Sequence, residues 1–197
     1  MAHQERFRNS IFIALSFAFA ACQSGPTAII KQTPLVNAEK VELAMVSGIV
    51  LHEQKPFTGR VFTLFPRTAD TSEVSGYLDG REHGQWKKFY RSTKIKEIRY
   101  FKNGQKIGFY QAWWENGNQQ LEYKFVADEY EGECREWNEE GQLSRIMNYR
   151  KGQEEGKQQW WYDGGKIKAN YVIKNGRRYG LLGTKNCINV SDSVFKN

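Results

Sequence analysis

Aromatic side chains at a fixed spacing are the residues of this sequence with the most chemical promise. Phe89, Trp113, Trp137 and Trp161 follow one another at one constant interval, and Arg135 precedes Trp137 by two positions. Aromatic rings offer flat apolar surface for stacking, and cations interact favourably with ring faces. These five residues therefore form the predicted binding face, which would contact a partner protein or a carbohydrate polymer, although packing within the protein is the commoner role of such aromatic residues.

Groups that could support catalysis are sparse by comparison. His52 and His83 lie far apart in the sequence, and neither has a serine-centred motif nearby. Glu131 and Glu133 would share one strand face, so a paired-carboxylate glycosidase is conceivable, but solvated charge at turns and strand starts is the favoured interpretation of these residues. No metal-ligand spacing, P-loop or nucleotide fingerprint occurs. The sequence therefore predicts a protein that is not an enzyme, with no cofactor and no metal.

An internal repeat explains the spacing of the aromatic residues. Glycine recurs at the same interval, and the segment KIKEIRYFKNG, which begins at Lys94, returns three periods later as KIKANYVIKNG from Lys166. The glycines of this ladder are Gly59, Gly84, Gly108, Gly132, Gly156 and Gly180. The period, about 24 residues, is typical of proteins built from stacked supersecondary units. The predicted units are residues 81–104, 105–129, 130–153 and 154–177, after a degenerate copy at residues 57–80.

Each unit has the composition of a β-hairpin. A run rich in aromatic residues, such as GFYQAWW, is followed by a turn such as ENG and then by a second run such as LEYKFV. Aromatic and β-branched residues favour strands, and Gly and Asn tolerate the positive φ of tight turns. Thr93 and Asp128 stand where other units have turn glycines. The predicted fold is all-β, an extended antiparallel sheet of repeated β-hairpins.

Side-chain alternation assigns the repeated columns to the two faces of the sheet. Successive side chains of a strand point to opposite sides, so positions two and four after a ladder glycine share one face. Positions three and five share the other face. Trp86 and Tyr110 are then expected on the face opposite Phe89 and Trp113, unless a bulge intervenes.

The ends of the repeat array need protection because a free sheet edge exposes unpaired backbone groups. The array is predicted at residues 41–180, with a capping hairpin at residues 41–59. Residues 181–197 depart from the period and are predicted to form a C-terminal cap or tail. Cys134 and Cys187 could form one disulfide in an oxidising compartment or remain two separate thiols.

The N-terminus has the layout of a secretory signal peptide, predicted at residues 1–21. Its apolar run, residues 11–21, is shorter than the roughly 18 residues that a membrane-spanning helix needs, and such a helix is the alternative. The FAAC segment at residues 19–22 resembles a lipobox, which implies acyl chains on Cys22, although ordinary cleavage would leave a free thiol. Residues 22–40 are polar and contain proline, so they are predicted to be a flexible tether.

The repeat unit resembles the bacterial variant of the MORN repeat, which is found in the YwqK-type antitoxin family. The resemblance covers about residues 57–180 and is carried by GQWKKFYRSTKIKEIRYFKNG, GFYQAWWENG, GECREWNEEGQL and GKQQWWYDGGKIKANYVIKNG. MORN arrays are implied to act as scaffolds with protein or membrane partners. They have no shared catalytic residues that could be carried over to this chain.

The signal peptide and the repeat together predict a function in the cell envelope. The expected protein is a non-catalytic binding or scaffolding lipoprotein, anchored through Cys22 at the periplasmic face of the outer membrane, with an envelope protein as its partner. A binder of cell-wall polysaccharide or peptidoglycan is the alternative, and an antitoxin of a toxin–antitoxin system is a third interpretation that suits a secretory N-terminus poorly. The net charge of +7 suits anionic polymers, lipid headgroups or a solvated basic face, and no nucleic-acid partner is expected.

Overall fold

The computed structural model describes Thr33 and residues 35–182, and this part of the chain is all-β. The one helical element among these residues is a single-turn 3-10 helix, Ala38–Lys40. Long antiparallel hairpins repeat along the sheet, which confirms the predicted fold class. No helix within the described residues has the length and apolar character to cross a membrane. The predicted signal peptide, the lipidation site Cys22 and residues 183–197 of the predicted cap lie outside the described residues.

The N-terminal strands form a small sheet and one edge of the main sheet. Strand β1 (Leu35–Asn37) pairs in parallel with the first strand of the first hairpin. Strands β2 (Leu43–Val46), β3 (Ile49–His52) and β4 (Lys55–Pro56) form a separate antiparallel sheet. Residues 35–40, which were predicted to belong to the flexible tether, instead form β1 and the 3-10 helix, and β1 is hydrogen-bonded into the main sheet.

Five hairpins follow, each with a six-residue first strand and an eight-residue second strand, and two-residue strands lie between successive hairpins. In chain order the strands are β5 (Gly59–Leu64), β6 (Thr71–Leu78), β7 (Arg81–Glu82), β8 (Gly84–Phe89), β9 (Ile95–Lys102), β10 (Gln105–Lys106), β11 (Gly108–Trp113), β12 (Gln119–Val126), β13 (Glu129–Tyr130), β14 (Gly132–Trp137), β15 (Leu143–Arg150), β16 (Gln153–Glu154), β17 (Gly156–Trp161), β18 (Ile167–Lys174) and β19 (Arg177–Leu181). Every first strand begins at a ladder glycine, so the period of the sequence sets the strand boundaries.

Hydrogen bonding in the main sheet follows the chain order. The sheet runs β1-β5-β6-β8-β9-β11-β12-β14-β15-β17-β18-β19, and the two-residue strands of the array pair back onto the second strands that precede them. Each hairpin has a register shift between the fourth and fifth positions after its ladder glycine, as between Ala112 and Trp113. A bulge therefore does intervene, and the side on which Trp113 lies no longer follows from simple alternation.

The core lies on the face that carries the second and fourth positions after each ladder glycine, which we call the inner face. Its buried apolar residues are Val61, Ala112 and Cys134 from first strands, and Phe101, Phe125, Met147, Ala169, Tyr171 and Ile173 from second strands, and Ser75, Glu97 and Gln158 are buried polar residues of the same face. Ala169, Tyr171 and Ile173 form a cluster against which Trp160 packs. Burial of these apolar side chains is the main stabilising contribution to a single-layer sheet.

Gly80 joins the small sheet to the main sheet. The Val50 N–H donates to the Gly80 carbonyl at 2.8 Å, and the Gly80 N–H donates to the Phe57 carbonyl at 2.7 Å. Gly80 has a φ of +74°, and a Cβ placed there would lie 2.4 Å from the Ile49 Cγ2 and 2.7 Å from the Val50 oxygen. Both the backbone conformation and the close approach therefore require glycine at this point.

Candidate binding surface

A line of cross-strand neighbours on the inner face carries charge in the middle of the sheet. The line, which we call the charged row, consists of Glu73, Lys88, Glu97, Ala112, Leu121, Glu136, Arg145 and Trp160, each paired with the next. Residues directly opposite each other in a sheet are close enough for their side chains to interact. Ala112 and Leu121 divide the row into two charged groups.

The first group is centred on Glu97, which is only 8% exposed. The Arg99 guanidinium and the Tyr110 hydroxyl donate to one carboxylate oxygen at 3.1 and 3.0 Å, and the Lys88 Nζ lies 3.4 Å from the other. Lys88 also lies 3.9 Å from Glu73. Burial alone would raise the pKa of Glu97, but Arg99, Tyr110 and Lys88 outweigh it and hold the pKa below its usual value. Glu97 therefore carries its charge at neutral pH.

The second group is centred on Glu136. Arg145 lies 3.2 Å from its carboxylate, and the Tyr123 hydroxyl donates a short hydrogen bond to it. Burial, followed by the hydrogen bond to Glu136, raises the pKa of Tyr123 well above its usual value, so this phenol remains a donor. The Arg145 guanidinium also lies 5.6 Å from the ring centroid of Trp160. A T-shaped contact between Tyr110 and Tyr123, at 5.9 Å, connects the two groups.

A cavity of about 250 Å³ opens beside the first group. Its lining consists of Glu73, Glu82, Trp86, Lys87, Lys88, Glu97, Arg99, Phe101 and Lys106. Burial raises the pKa of Glu82, which Lys106 opposes, and the buried Arg99 Nε has no hydrogen-bond partner. The cavity thus offers hydrogen-bond donors, acceptors and an indole ring to a small polar group. No cluster of side chains suited to hold a metal occurs within the described residues.

The turns at one end of the hairpins are joined by side-chain hydrogen bonds between repeats. The Tyr90 hydroxyl donates to the Trp113 carbonyl at 2.9 Å, and the Trp114 Nε1 donates to the Trp137 carbonyl at 3.1 Å. Asn138 takes the corresponding position of the next unit, and its side chain instead accepts from the Gln142 N–H at 2.8 Å. An open groove of about 540 Å³ lies here, lined by Trp114, Asn138, Glu139, Glu140, Gln142 and Asp163.

The structure places the five predicted contact residues in the first strands of successive hairpins, and each of the four aromatic residues directly follows a member of the charged row in the chain. Phe89, Trp113, Trp137 and Trp161 each follow a register shift and are half-buried. Arg135 is exposed, and its Nε donates to Glu133 at 2.6 Å. The four aromatic side chains are therefore partly accessible, and Arg135 is the exposed member of the predicted set.

The residues considered for catalysis have separate structural partners. His83 is only 2% exposed, and its Nδ1 lies 3.2 Å from the Asn103 Oδ1. Glu131 accepts from the Lys151 N–H at 2.9 Å, whereas Glu133 pairs with Arg135 on its own strand. Cys134 is fully buried, which raises the pKa of its thiol, and Cys187 lies outside the described residues.

The charged row was not anticipated from the sequence, although a signal for it exists. The fourth column after the ladder glycines reads Thr63, Lys88, Ala112, Glu136 and Trp160. A column that faces the core should be apolar in every unit, so its two charged members mark polar sites on the inner face. The predicted contact residues lie instead at the fifth position, where aromatic residues recur in successive units.

No family model matches this chain, and no curated protein matches it. Among solved structures it is similar to the crystal structure of accessory secretory protein 1, 2 and 3 in Streptococcus pneumoniae, at 15% identity and a TM-score of 0.18. The match covers 69% of this chain but 20% of that one, and so low a TM-score carries no argument. The structure establishes a sheet of repeated β-hairpins, and the MORN-type assignment stays a prediction.

Proposed function

We propose that this protein is a non-catalytic binding or scaffolding module of the cell envelope, a MORN-type array that presents its sheet to a partner protein. One observation carries the proposal. Six large hydrophobic residues are exposed in and just after the last hairpin, and they are Tyr162, Ile167, Val172, Tyr179, Leu181 and Leu182. Apolar side chains that collect on one part of a surface usually mark a contact site.

The inner face adds polar features that suit a binding role. The charged row and its cavity provide fixed ion pairs and hydrogen-bonding groups beside the aromatic rings of Trp86 and Trp160. Charged groups of this kind contribute mainly to specificity, because they select a partner of complementary charge, and contribute less to the binding affinity. The sheet would therefore combine apolar contact area with an electrostatic pattern that selects the partner.

The proposed lipid anchor is tested by detergent phase partitioning with mass spectrometry of the N-terminus. The native protein is expected in the detergent phase with an acylated Cys22 as its first residue, because each buried CH₂ contributes about 0.8 kcal/mol. Cys22→Ala is expected in the aqueous phase or with residues 1–21 retained. Cys187→Ala is the matched control and should partition like the native protein. A native protein found in the aqueous phase would rule out the anchor.

The binding role is tested by crosslinking in intact envelopes followed by purification of the full chain. Trp137→Ala combined with Trp161→Ala is expected to reduce recovery of the crosslinked partner by about tenfold, since large aromatic residues dominate interface energies. Phe109→Ala is the control, because this aromatic residue is exposed but lies outside the fifth column of the repeat. Equal recovery from the native and double-variant proteins would count against the fifth-position aromatic residues as contacts.

A further inference from the structure

The last strand of the main sheet is an exposed edge of one charge sign. All five residues of β19 are exposed, and within the described residues β19 pairs with β18 alone. We call residues 164–182 the C-terminal edge. Its charged residues are Lys166, Lys168, Lys174, Arg177 and Arg178, and it contains no acidic residue. This edge combines unpaired backbone groups with a concentrated positive charge.

The cations of the C-terminal edge are largely uncompensated. Arg178 pairs with Glu154 at 3.0 Å. The other four cations form no ion pair with any residue that the structure describes. These four cations can therefore accept carboxylates from outside without first breaking an ion pair to a described residue.

Apolar residues lie between these cations on one face of the last two strands. Val172 pairs with Tyr179, and the next pairs on the same face are Asn170 with Leu181 and Lys174 with Arg177. Val172, Tyr179 and Leu181 are 44%, 55% and 46% exposed. An added strand would extend this row of apolar contacts and would meet the cations at its end.

We propose that the C-terminal edge binds an extended acidic segment of a partner protein, which adds as a further strand beside β19. This inference rests on the proposed function and specifies the chemistry of the partner. The backbone groups of β19 supply hydrogen bonds, its apolar side chains contact alternate residues of the added strand, and the cations receive carboxylates.

Charge favours an acidic segment over a second copy of this chain. A second copy that paired through the same edge would bring its own cations against those of the first, and such like-charge contacts select against wrong partners. Basic residues on an edge strand also prevent self-association by pairing of edges. Carboxylates on a partner would instead be attracted to these basic residues.

The test uses the full chain in phosphatidylcholine nanodiscs and a fluorescent peptide about eight residues long, to match a typical strand. Its odd positions are Val, Val, Glu and Glu and its even positions are Thr, so that the apolar and acidic side chains face the same side of the added strand. Anisotropy is expected to show binding, and amide exchange of residues 177–181 should slow when the peptide is present. A peptide of equal charge with both of its valines replaced by proline should bind at least about tenfold more weakly, because proline removes backbone donors.

The second part of the test reverses two charges of the C-terminal edge. Lys174→Glu combined with Arg177→Glu is expected to weaken peptide binding by about tenfold, through loss of attraction at an exposed site. The matched control is Arg81→Glu combined with Lys102→Glu, which makes the same change of charge at the equivalent exposed positions of two neighbouring interior hairpins and should alter binding less than about twofold.

Three outcomes would overturn the proposal. The first is that the peptide does not bind to the native protein, and the second is that the two peptides bind equally well, as expected for recognition of negative charge alone. An equal effect of the two charge reversals would place binding elsewhere. The proposed function is judged separately: a crosslinked partner still recovered with Lys174→Glu and Arg177→Glu would preserve it while the edge proposal falls.

Discussion

Gly80→Ala is expected to lower the free energy of unfolding by about 3 kcal/mol, because it combines backbone strain with overpacking. The left-handed backbone conformation costs an L-residue about 1 kcal/mol, and overpacking against Ile49 and the Val50 carbonyl adds roughly 2 kcal/mol. The variant should also weaken the two hydrogen bonds that join the small sheet to the main sheet. Urea denaturation measures the first effect, and amide exchange of β3 measures the second.

Gly104→Ala is the matched control for this prediction. Gly104 occupies the same turn position in the next hairpin with a φ of +86°, but the nearest atom to an added Cβ is the Arg81 Cβ at 4.0 Å. Only the backbone strain remains, so the expected loss is about 1 kcal/mol. Equal losses for the two variants would mean that the close contact at Gly80 contributes nothing to the junction.

Glu97→Leu is expected to destabilise the protein by about 2 kcal/mol, because it removes one partner of a partly buried group of charges. The substitution leaves Lys88, Arg99 and the Tyr110 hydroxyl without their shared acceptor. Breaking a fully buried ion pair costs roughly 3–5 kcal/mol, but Lys88 and Arg99 have side chains that are 45% and 32% exposed and regain water. Chemical denaturation at neutral pH measures the loss.

A triple variant separates the charge from the packing in this prediction. Lys88→Ala, Glu97→Leu and Arg99→Tyr together install the residues that the next hairpin has at the same three positions. Its stability should return to within about 1 kcal/mol of the native value, because apolar replacement of an entire buried ion pair is often neutral. A triple variant no more stable than Glu97→Leu would contradict this account. If the triple variant folds but no longer captures the partner, the charged row is a contact surface.

The difference in stability between the native protein and the triple variant should depend on pH, and the pKa of Glu97 gives the direction. The pKa of Glu97 is lower in the folded protein than in the unfolded chain, so its contribution is fully present above the unfolded value. This contribution is lost as the pH falls through the folded pKa. The stability of the native protein should therefore decrease relative to the triple variant below about pH 4, where unfolded glutamates become protonated.

The sequence was sufficient for the fold because the period of glycine fixes the turns. Each first strand begins at a ladder glycine, and Thr93 and Asp128, which replace turn glycines, adopt the same left-handed conformation, with φ of 64° and 69°. Strand β1 could not be foreseen, since Leu35–Asn37 lies outside the period and gains its structure from pairing with β5. Long-range pairing of this kind leaves no periodic signal.

The candidate site was harder to predict because a bulge changes the rule of alternation. Positions two to four follow the predicted faces, but the register shift before Trp113 and its equivalents breaks the two-residue count. The charged row depends on which residues become cross-strand neighbours, such as Glu97 and Ala112. That information lies in the register between hairpins, which the sequence of one hairpin does not contain.

The order of the strands in the sheet also determines how the molecule can change in length. Within the array each hairpin pairs only with the hairpins before and after it in the chain. Duplication or deletion of one whole repeat unit therefore preserves the remaining backbone pairing, and adds or removes about 10 Å of sheet width. The length of the sheet can therefore change by whole repeat units while the residues at its two ends stay the same.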